Sequence, residues 1–212
     1  MMPQPDRALL SSAGVGPEAL DRLASVADDV ACRLSARPRR LEHSMGVART
    51  CAWIASQHGV DPALAYAVGL LHDWEKARGH EEQLRRAEEL GLDFGVPLRQ
   101  VLPLLHGPIA ARDLPARYPW LPPEAWHAIA VHTTACEDMS DLDMALFVAD
   151  GVEPQRPASP GIEQVRGLLA DGAPLREAFL ASFVNGVAYV LERRRYLYPG
   201  TVAVYNALVS GA

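Results

Sequence analysis

Cysteine is scarce in this sequence of 212 residues. Cys32, Cys51 and Cys136 lie far apart and form no C-x-x-C pair, so we expect reduced thiols in a cytoplasmic protein and no disulfide framework. Long apolar runs are also missing, since no stretch approaches the roughly 18 residues that a membrane span needs. The first 16 residues carry no apolar signal-peptide core, so neither membrane association nor export is expected.

Blocks of basic residues and clear strand signals are absent as well. The formal net charge is −6, and a nucleic-acid polymer is therefore not the expected partner. A small phosphate ligand stays compatible with this charge, because bound cations and a few basic side chains can invert the local field. Apolar–polar alternation is short, and the Asn185-Gly186 pair lies in a helical pattern, so the sequence favours an all-α fold.

Helical periodicity is what the sequence does contain. Apolar residues recur at steps of three and four, and prolines mark several first helical turns. We expect a loose leader at 1–16 and a single domain at 17–212. The predicted helices cover about 17–36, 40–58, 62–71, 81–90, 98–112, 122–131, 142–148, 161–170, 174–194 and 200–209.

Polar residues with metal-ligand chemistry stand at the edges of the apolar stretches. The pair His72-Asp73 follows one such stretch, and similar edges carry four more residues: His43, His106, His132 and Asp150. Buried imidazoles and carboxylates are costly without partners, so these edges need either an ion or a hydrogen-bond network. Spacing alone leaves both options open. His58, His80 and His127 are interpreted as ordinary histidines.

The residues around these positions resemble a known family. His43, His72-Asp73 and Asp150 follow the H…HD…D pattern of the HD-domain superfamily, which comprises all-α metal-dependent phosphohydrolases. Several segments further resemble its YqeK-type branch, the symmetrical bis(5'-nucleosyl)-tetraphosphatases, over about residues 38 to 208: Arg40-Leu41-Glu42-His43-Ser44, Leu71-His72-Asp73-Trp74-Glu75-Lys76, Leu105-His106-Gly107, His132-Thr133-Thr134, the run from Ala149 to Arg156, and Tyr205-Asn206.

This resemblance implies a compact HD-domain helical bundle with a dinuclear metal centre. One ion would be held by His43, His72, Asp73 and Asp150, and Asp73 would bridge to a second ion. The second ion would be held by His106 and His132. Iron is the expected metal, while imidazole-rich ligation also suits Mn, Co or Zn. The implied reaction is hydrolysis of diadenosine tetraphosphate to two ADP by a hydroxide that bridges the metals.

The same resemblance suggests residues that act on the substrate. Lys76 lies one turn after Asp73 and would stabilise phosphate oxygens or the leaving group. Arg156 would clamp a phosphate. Arg40, Thr133 and Thr134 are further candidates for substrate contact, although a surface ion pair for Arg40 and helix capping for the threonines stay open.

Two positions depart from the family pattern. Glu75 stands where the family usually has a small residue. Ala135 stands where the family often has glycine. Glu75 would add negative charge beside the anion site, unless it points outward or pairs with Lys76 or Arg78.

Other functions stay open from the sequence. They are an HD phosphohydrolase acting on a dNTP, a nucleoside monophosphate or an alarmone, a non-catalytic metal- or nucleotide-binding regulator, and a di-iron oxygenase. A nucleophilic Cys136 beside His132 would leave the other ligand-type residues unexplained. The oligomeric state is open too, with a homodimer as one option.

Overall fold

The computed structural model describes residues 4–210. Within that range the chain forms α-helices, short 3₁₀ helices and connecting turns, and no strand occurs, which confirms the all-α prediction. The α-helices are α1 (Arg7–Ser12), α2 (Pro17–Arg33), α3 (Pro38–Gln57), α4 (Pro62–Leu71), α5 (His80–Glu89), α6 (His106–Asp113), α7 (Pro123–Val131), α8 (Asp141–Val152), α9 (Pro160–Ala170), α10 (Leu175–Glu192) and α11 (Pro199–Ser210).

Local signals explain most of the helix boundaries. Asp61 caps α4 by accepting a hydrogen bond from the Ala63 amide at 2.8 Å, and Pro62 follows in the first turn. Ser140 and Asp143 form a reciprocal capping box at the start of α8. Proline also occupies the first turn of α2, α3, α7 and α9. These signals are local in the sequence, so the predicted helices that carry them begin within two residues of the observed ones.

Helix α4 is the centre of the core. Every residue from Ala65 to Leu71 is buried, and α4 packs closely against α3 with α2, α7 and α8 around it. Gly69 permits this approach, because a Cβ atom there would lie 2.6 Å from the Cα of Ala48. Within the described residues, no helix is both long and apolar enough to cross a membrane.

Two regions differ from the sequence-based expectation. The helix predicted over 98–112 is divided into the 3₁₀ helices Leu98–Gln100 and Leu102–Leu104 and the α-helix α6. Pro103 and Pro108 lack backbone N–H groups, so a continuous α-helical ladder cannot form there. In the segment predicted as a loose leader, α1 is capped by Asp6 and buries Leu10 completely, so its described part is tied to the core.

Candidate metal centre

Five helices bring the six ligand-type side chains to one buried location. His43 lies in the second turn of α3, while His72 and His132 stand directly at the C-terminal ends of α4 and α7. Asp73 follows His72, and His106 opens α6. Asp150, in the last turn of α8, is the most accessible of the six, with 23% of its side chain exposed. The helix ends therefore direct these groups into a shared centre.

Asp73 lies at the middle of this cluster. Its Oδ1 is 3.2 Å from His106 Nε2, and its Oδ2 is 3.4 Å from His72 Nε2 and 3.7 Å from His43 Nε2. One carboxylate thus faces three imidazoles through two different oxygen atoms.

The remaining ligand-type residues complete the cluster on both sides of Asp73. Asp150 Oδ1 lies 3.0 Å from His43 Nε2, and the Nε2 atoms of His106 and His132 are 2.9 Å apart. The structure therefore brings all six predicted side chains together.

Backbone carbonyl oxygens determine that three imidazoles carry a proton on Nδ1. The Nδ1 atoms of His72, His106 and His132 lie 2.7, 3.0 and 2.7 Å from the carbonyl oxygens three residues earlier. A carbonyl oxygen can only accept a hydrogen bond, so each Nδ1 carries the proton. In the neutral ring the Nε2 lone pair then faces the centre, as a metal ligand requires.

Two of these Nε2 atoms create an electrostatic conflict that a cation resolves. Burial lowers the pKa of His106, and burial with the neighbouring His106 lowers the pKa of His132 to about 3. Neither ring takes up a proton near neutral pH, so their Nε2 lone pairs oppose each other across 2.9 Å. The buried Nε2 of His72 also has no hydrogen-bond partner. A metal ion would satisfy all three nitrogen atoms.

The spacing of the donor atoms also fits a transition metal. Metal–ligand bonds of about 2.1 Å place neighbouring donors roughly 3.0–3.4 Å apart, which is close to most distances around Asp73 and His43. In two groups of three residues the donor atoms all lie within 4.8 Å of one another: His43, His72 and Asp150, and His72, Asp73 and His132. His72 belongs to both groups, so it lies between the two halves of the cluster.

Both aspartates are held as carboxylates. Burial is the largest single influence and would raise their pKa values, but His72 and His106 together outweigh it at Asp73, and His43, Arg156 and His72 together outweigh it at Asp150, so both pKa values fall below the ordinary range. Burial likewise lowers the pKa of His72, yet the Asp73 carboxylate reverses that effect and the net direction is upward. The centre therefore carries two negative charges that suit a divalent cation.

Arg40 and Arg156, two of the predicted substrate residues, lie beside these carboxylates. Arg40 donates to Asp73 Oδ2 at 2.6 Å. Arg156 donates to Asp150 Oδ1 at 2.5 Å and to the Asp150 carbonyl oxygen at 2.8 Å. In both arginines more than a third of the side-chain surface is exposed. Together with the partly exposed Asp150, they form the more accessible part of the cluster.

Lys76 also lies near the centre. It belongs to the 3₁₀ helix Trp74–Ala77, and its Nζ donates to the Pro103 carbonyl oxygen at 3.4 Å. That carbonyl oxygen also faces His106 Nδ1. Burial lowers the pKa of Lys76, and the charge of Asp73 offsets part of this effect. The ammonium group is thus anchored to the turn that orients a ligand-type histidine.

Thr133 and Thr134 follow His132 in the turn after α7. The Thr133 hydroxyl is buried without a hydrogen-bond partner, whereas the Thr134 amide bonds the Val131 carbonyl oxygen at 3.2 Å. Ala135 then adopts φ of +55°, the left-handed region that favours glycine. The turn therefore leaves Thr133 with unused hydrogen-bonding capacity beside His132.

Glu75 is directed into an ion-pair network. Its carboxylate lies 3.1 Å from Arg78 and 3.6 Å from Arg33, so the pairing with Arg78 is found while that with Lys76 is not. Burial raises the pKa of Glu75, and the two guanidinium groups act in the opposite direction. Its charge is balanced by arginines and does not stand free beside the anion site.

Glu153, for which the sequence pattern predicts no role, lies against His43. A Glu153 oxygen lies 3.1 Å from His43 Nδ1, and the Glu153 side chain is buried. Glu153 follows Asp150 by three residues, a spacing that puts the two on one helical face. The three-residue spacing could have indicated that Glu153 lies near the centre. It does not reveal that Glu153 contacts His43 of α3.

Comparison with known proteins agrees with this architecture. The HD domain family model matches residues 40–155, a range that contains all six ligand-type residues. Symmetrical bis(5'-nucleosyl)-tetraphosphatases from Halalkalibacterium halodurans and Bacillus subtilis are each 30% identical to the chain. The match with the first relative covers 80% of this chain and 89% of the relative. The match with the second covers 82% of this chain and 91% of the relative.

A solved structure shows the same fold. It is a Clostridium acetobutylicum protein described as a "predicted HD superfamily hydrolase involved in NAD metabolism", 24% identical, with a TM-score of 0.75. The match covers 87% of this chain and 97% of that one. The chain therefore belongs to the HD domain family, in the branch that contains the symmetrical bis(5'-nucleosyl)-tetraphosphatases.

Proposed function

We propose that this protein is a metal-dependent hydrolase that cleaves diadenosine tetraphosphate symmetrically into two ADP molecules. The observation that carries the proposal is the convergence of imidazole Nε2 atoms on the Asp73 carboxylate, with an orphaned Nε2 on His72. Support for the substrate comes from the two relatives, whose names give symmetrical bis(5'-nucleosyl)-tetraphosphatase activity. The nucleotide is therefore inferred from similarity, and the metal from the donor set.

The proposed cofactor is a dinuclear centre, with iron as the expected metal. His43, His72, Asp73 and Asp150 would hold one ion, and Asp73, His106 and His132 the other. Imidazole-rich ligation favours Fe, Mn, Co or Zn over Mg. When bound, such ions supply Lewis acidity toward phosphoryl oxygens and lower the pKa of a coordinated water.

The basic residues around the centre would bind the polyphosphate chain. Arg40 and Arg156 lie beside the two aspartates on the accessible side, and their guanidinium forks match phosphate oxygens. Lys76 would place its ammonium group against the charge that develops on the phosphoryl oxygens or on the departing ADP. The Thr133 hydroxyl is a further donor, because it has no partner of its own.

The three basic side chains, of Arg40, Lys76 and Arg156, would also offset the negative net charge of the protein at the site. A net charge of −6 repels a polyphosphate at long range. Local positive groups and bound metal ions invert that field at the site itself. The chain would then position the central phosphoanhydride so that addition of one water molecule releases two equal products.

The wider proposal is a single domain that includes α1 and acts on a small nucleotide in the cytoplasm. Three free cysteines fit a reducing compartment, and burial raises the pKa of the Cys51 thiol, which keeps it unreactive.

Metal analysis combined with product analysis tests the proposal. We expect anaerobically purified protein to contain about two metal ions per chain and to release ADP alone from diadenosine tetraphosphate. The variant His106→Ala should lose metal and turnover, while His58→Ala, at the C-terminal end of α3, should keep both. Release of AMP and ATP would contradict symmetrical cleavage, and faster hydrolysis of a dNTP, a nucleoside monophosphate or an alarmone would contradict the assigned substrate.

A further inference from the structure

Glu153 is a buried carboxylate that directly follows α8. Only 1% of its surface is exposed, and each of its two oxygen atoms faces an N–H group. Oε1 lies 3.1 Å from His43 Nδ1, and Oε2 accepts a hydrogen bond from the Gln155 amide at 2.8 Å. Both oxygen atoms are therefore used as acceptors.

The hydrogen bond from His43 to Glu153 fixes the orientation of the ring. A carboxylate accepts and does not donate, so His43 Nδ1 carries the proton. The lone pair of His43 Nε2 is then directed toward Asp150 Oδ1, 3.0 Å away, and Asp73 Oδ2, 3.7 Å away. Without this acceptor, the neutral ring could also carry its proton on Nε2, the atom that faces the centre.

His43 differs from the other three histidines in the kind of acceptor that it uses. The others stand at helix ends and donate to backbone carbonyl oxygens, which are available there. His43 lies inside α3, where the carbonyl oxygens are engaged in helical hydrogen bonds. A side chain from another element must therefore orient this ring, and an ionised acceptor forms a stronger bond than a carbonyl does.

Two further residues hold Glu153 in place. Gly46 lies one turn after His43, and a Cβ atom there would come 2.5 Å from Glu153 Oε2, so the absence of a side chain provides the space for the carboxylate. Arg166 of α9 fixes the backbone on either side of this point. Its Nε donates to the Val152 carbonyl oxygen at 3.1 Å, and its Nη2 donates to the Glu153 carbonyl oxygen at 2.9 Å. The position of Glu153 is thus determined by α3, α8 and α9 together.

We propose that Glu153 is a positioning residue for the metal centre, which holds His43 in the tautomer and orientation that bind one of the ions. This inference rests on the proposed metal-dependent function. Partners of this kind typically change metal affinity by about 10–100-fold. Glu153 acts through His43 and needs no contact with the nucleotide.

The variant Glu153→Gln tests this role without a large change in volume. The two hydrogen bonds use different carboxylate oxygens, and in glutamine one of these two positions becomes an NH₂ donor, which can accept from neither His43 Nδ1 nor the Gln155 amide. Chelator-treated protein would be titrated with Co²⁺ against a competing chelator, with visible absorption as the signal. We expect one of two binding steps to weaken by about 10–100-fold, while the step assigned to His106 and His132 stays unchanged.

A matched control and a second variant separate positioning from folding. Glu177→Gln, an exposed carboxylate on α10, should bind Co²⁺ as the unmodified protein does. Gly46→Ala keeps all ligands and Glu153 but pushes against its Oε2, so it should weaken the same step. Unchanged Co²⁺ affinity in both Glu153→Gln and Gly46→Ala would overturn the proposal.

A third measurement is independent of metal binding. Imidazole nitrogen NMR of the chelator-treated protein should show His43 with its proton on Nδ1, and Glu153→Gln should alter that state. An unchanged His43 tautomer in this variant counts against the positioning role. If the unmodified protein takes up no Co²⁺, the proposed metal-dependent function fails, while the tautomer still decides the role of Glu153.

Discussion

Asp73 is the residue on which the two halves of the cluster depend. Its Oδ1 faces His106 and its Oδ2 faces His72, so one side chain connects the ends of α4 and α6. Two cations a few ångströms apart repel each other strongly, and a shared carboxylate offsets that repulsion. The replacement of this single group therefore affects both proposed ions.

The variant Asp73→Ala should lose both metal ions and all turnover. The physical reason is that the remaining ligands, Asp150 and the imidazoles, leave the positive charge of two ions without a bridging anion. Metal content per chain, measured by elemental analysis, and ADP release are the readouts. Asp141→Ala, in the exposed first turn of α8, is the control and should keep both. Full metal occupancy with retained activity in Asp73→Ala would refute the bridging role.

The variant Arg156→Ala should separate substrate binding from metal binding. Its guanidinium contacts Asp150 but supplies no ligand atom, so metal content should persist. Loss of a charged hydrogen bond to phosphate should lower kcat/KM by an amount equivalent to about 1.5–3 kcal/mol. Steady-state kinetics with diadenosine tetraphosphate measure this effect. A variant that loses its metal and has an unchanged kcat/KM after metal is restored would show that Arg156 only supports Asp150.

At the scale of helices, sequence signals were most informative where they are local. Proline marks the start of α4, and the structure agrees with that prediction. Helix α8 starts one residue before the predicted position and ends four residues after it, at Val152. The segment 98–112 was predicted poorly, because two prolines divide it in a way that periodicity does not reveal. The pair of Glu75 with Arg78, three residues apart, was among the predicted alternatives. The contacts of Glu75 with Arg33 and of Glu153 with His43 were not, since those partners come from helices distant in the sequence.

Gly69→Ala should destabilise the packing of α3 against α4. The new Cβ would lie 2.6 Å from the Cα of Ala48, and backbone atoms cannot move away as a flexible side chain can. We expect a loss of about 1–3 kcal/mol in the free energy of unfolding, measured by urea denaturation. Gly186→Ala in α10 meets nothing within 4 Å and should stabilise by about 0.5–1 kcal/mol. Equal effects at the two positions would contradict the close approach of α3 and α4.

For the whole molecule, the buried histidines link stability to pH. The pKa of His132 is lowered to about 3 and that of His106 is also lowered, in both cases chiefly by burial. In the unfolded chain these groups titrate near their ordinary value of about 6.5, so below that pH the unfolded state binds more protons. The stabilising contribution of the neutral rings is therefore fully present above pH ~6.5 and is lost as the pH falls toward 3.

Chelator-treated protein should accordingly be less stable at pH ~5 than at pH ~7. The raised pKa of His72 acts in the opposite direction and reduces the difference in stability between the two pH values. The lowered pKa of His106 adds to the effect of His132. Urea denaturation at the two pH values measures the effect, and His132→Asn should flatten it. A greater stability at the lower pH would contradict the neutral state of His106 and His132.

The bonds from His72 and His132 to carbonyl oxygens at the ends of α4 and α7 have a kinetic consequence. When the last turn of either helix frays, the carbonyl oxygen moves and the imidazole is free to rotate. Release of an ion from the centre and transient opening of these helix ends would then be the same event. Amide hydrogen exchange at the two termini should therefore slow when the centre is loaded, and the exchange rate should follow the dissociation rate of the metal.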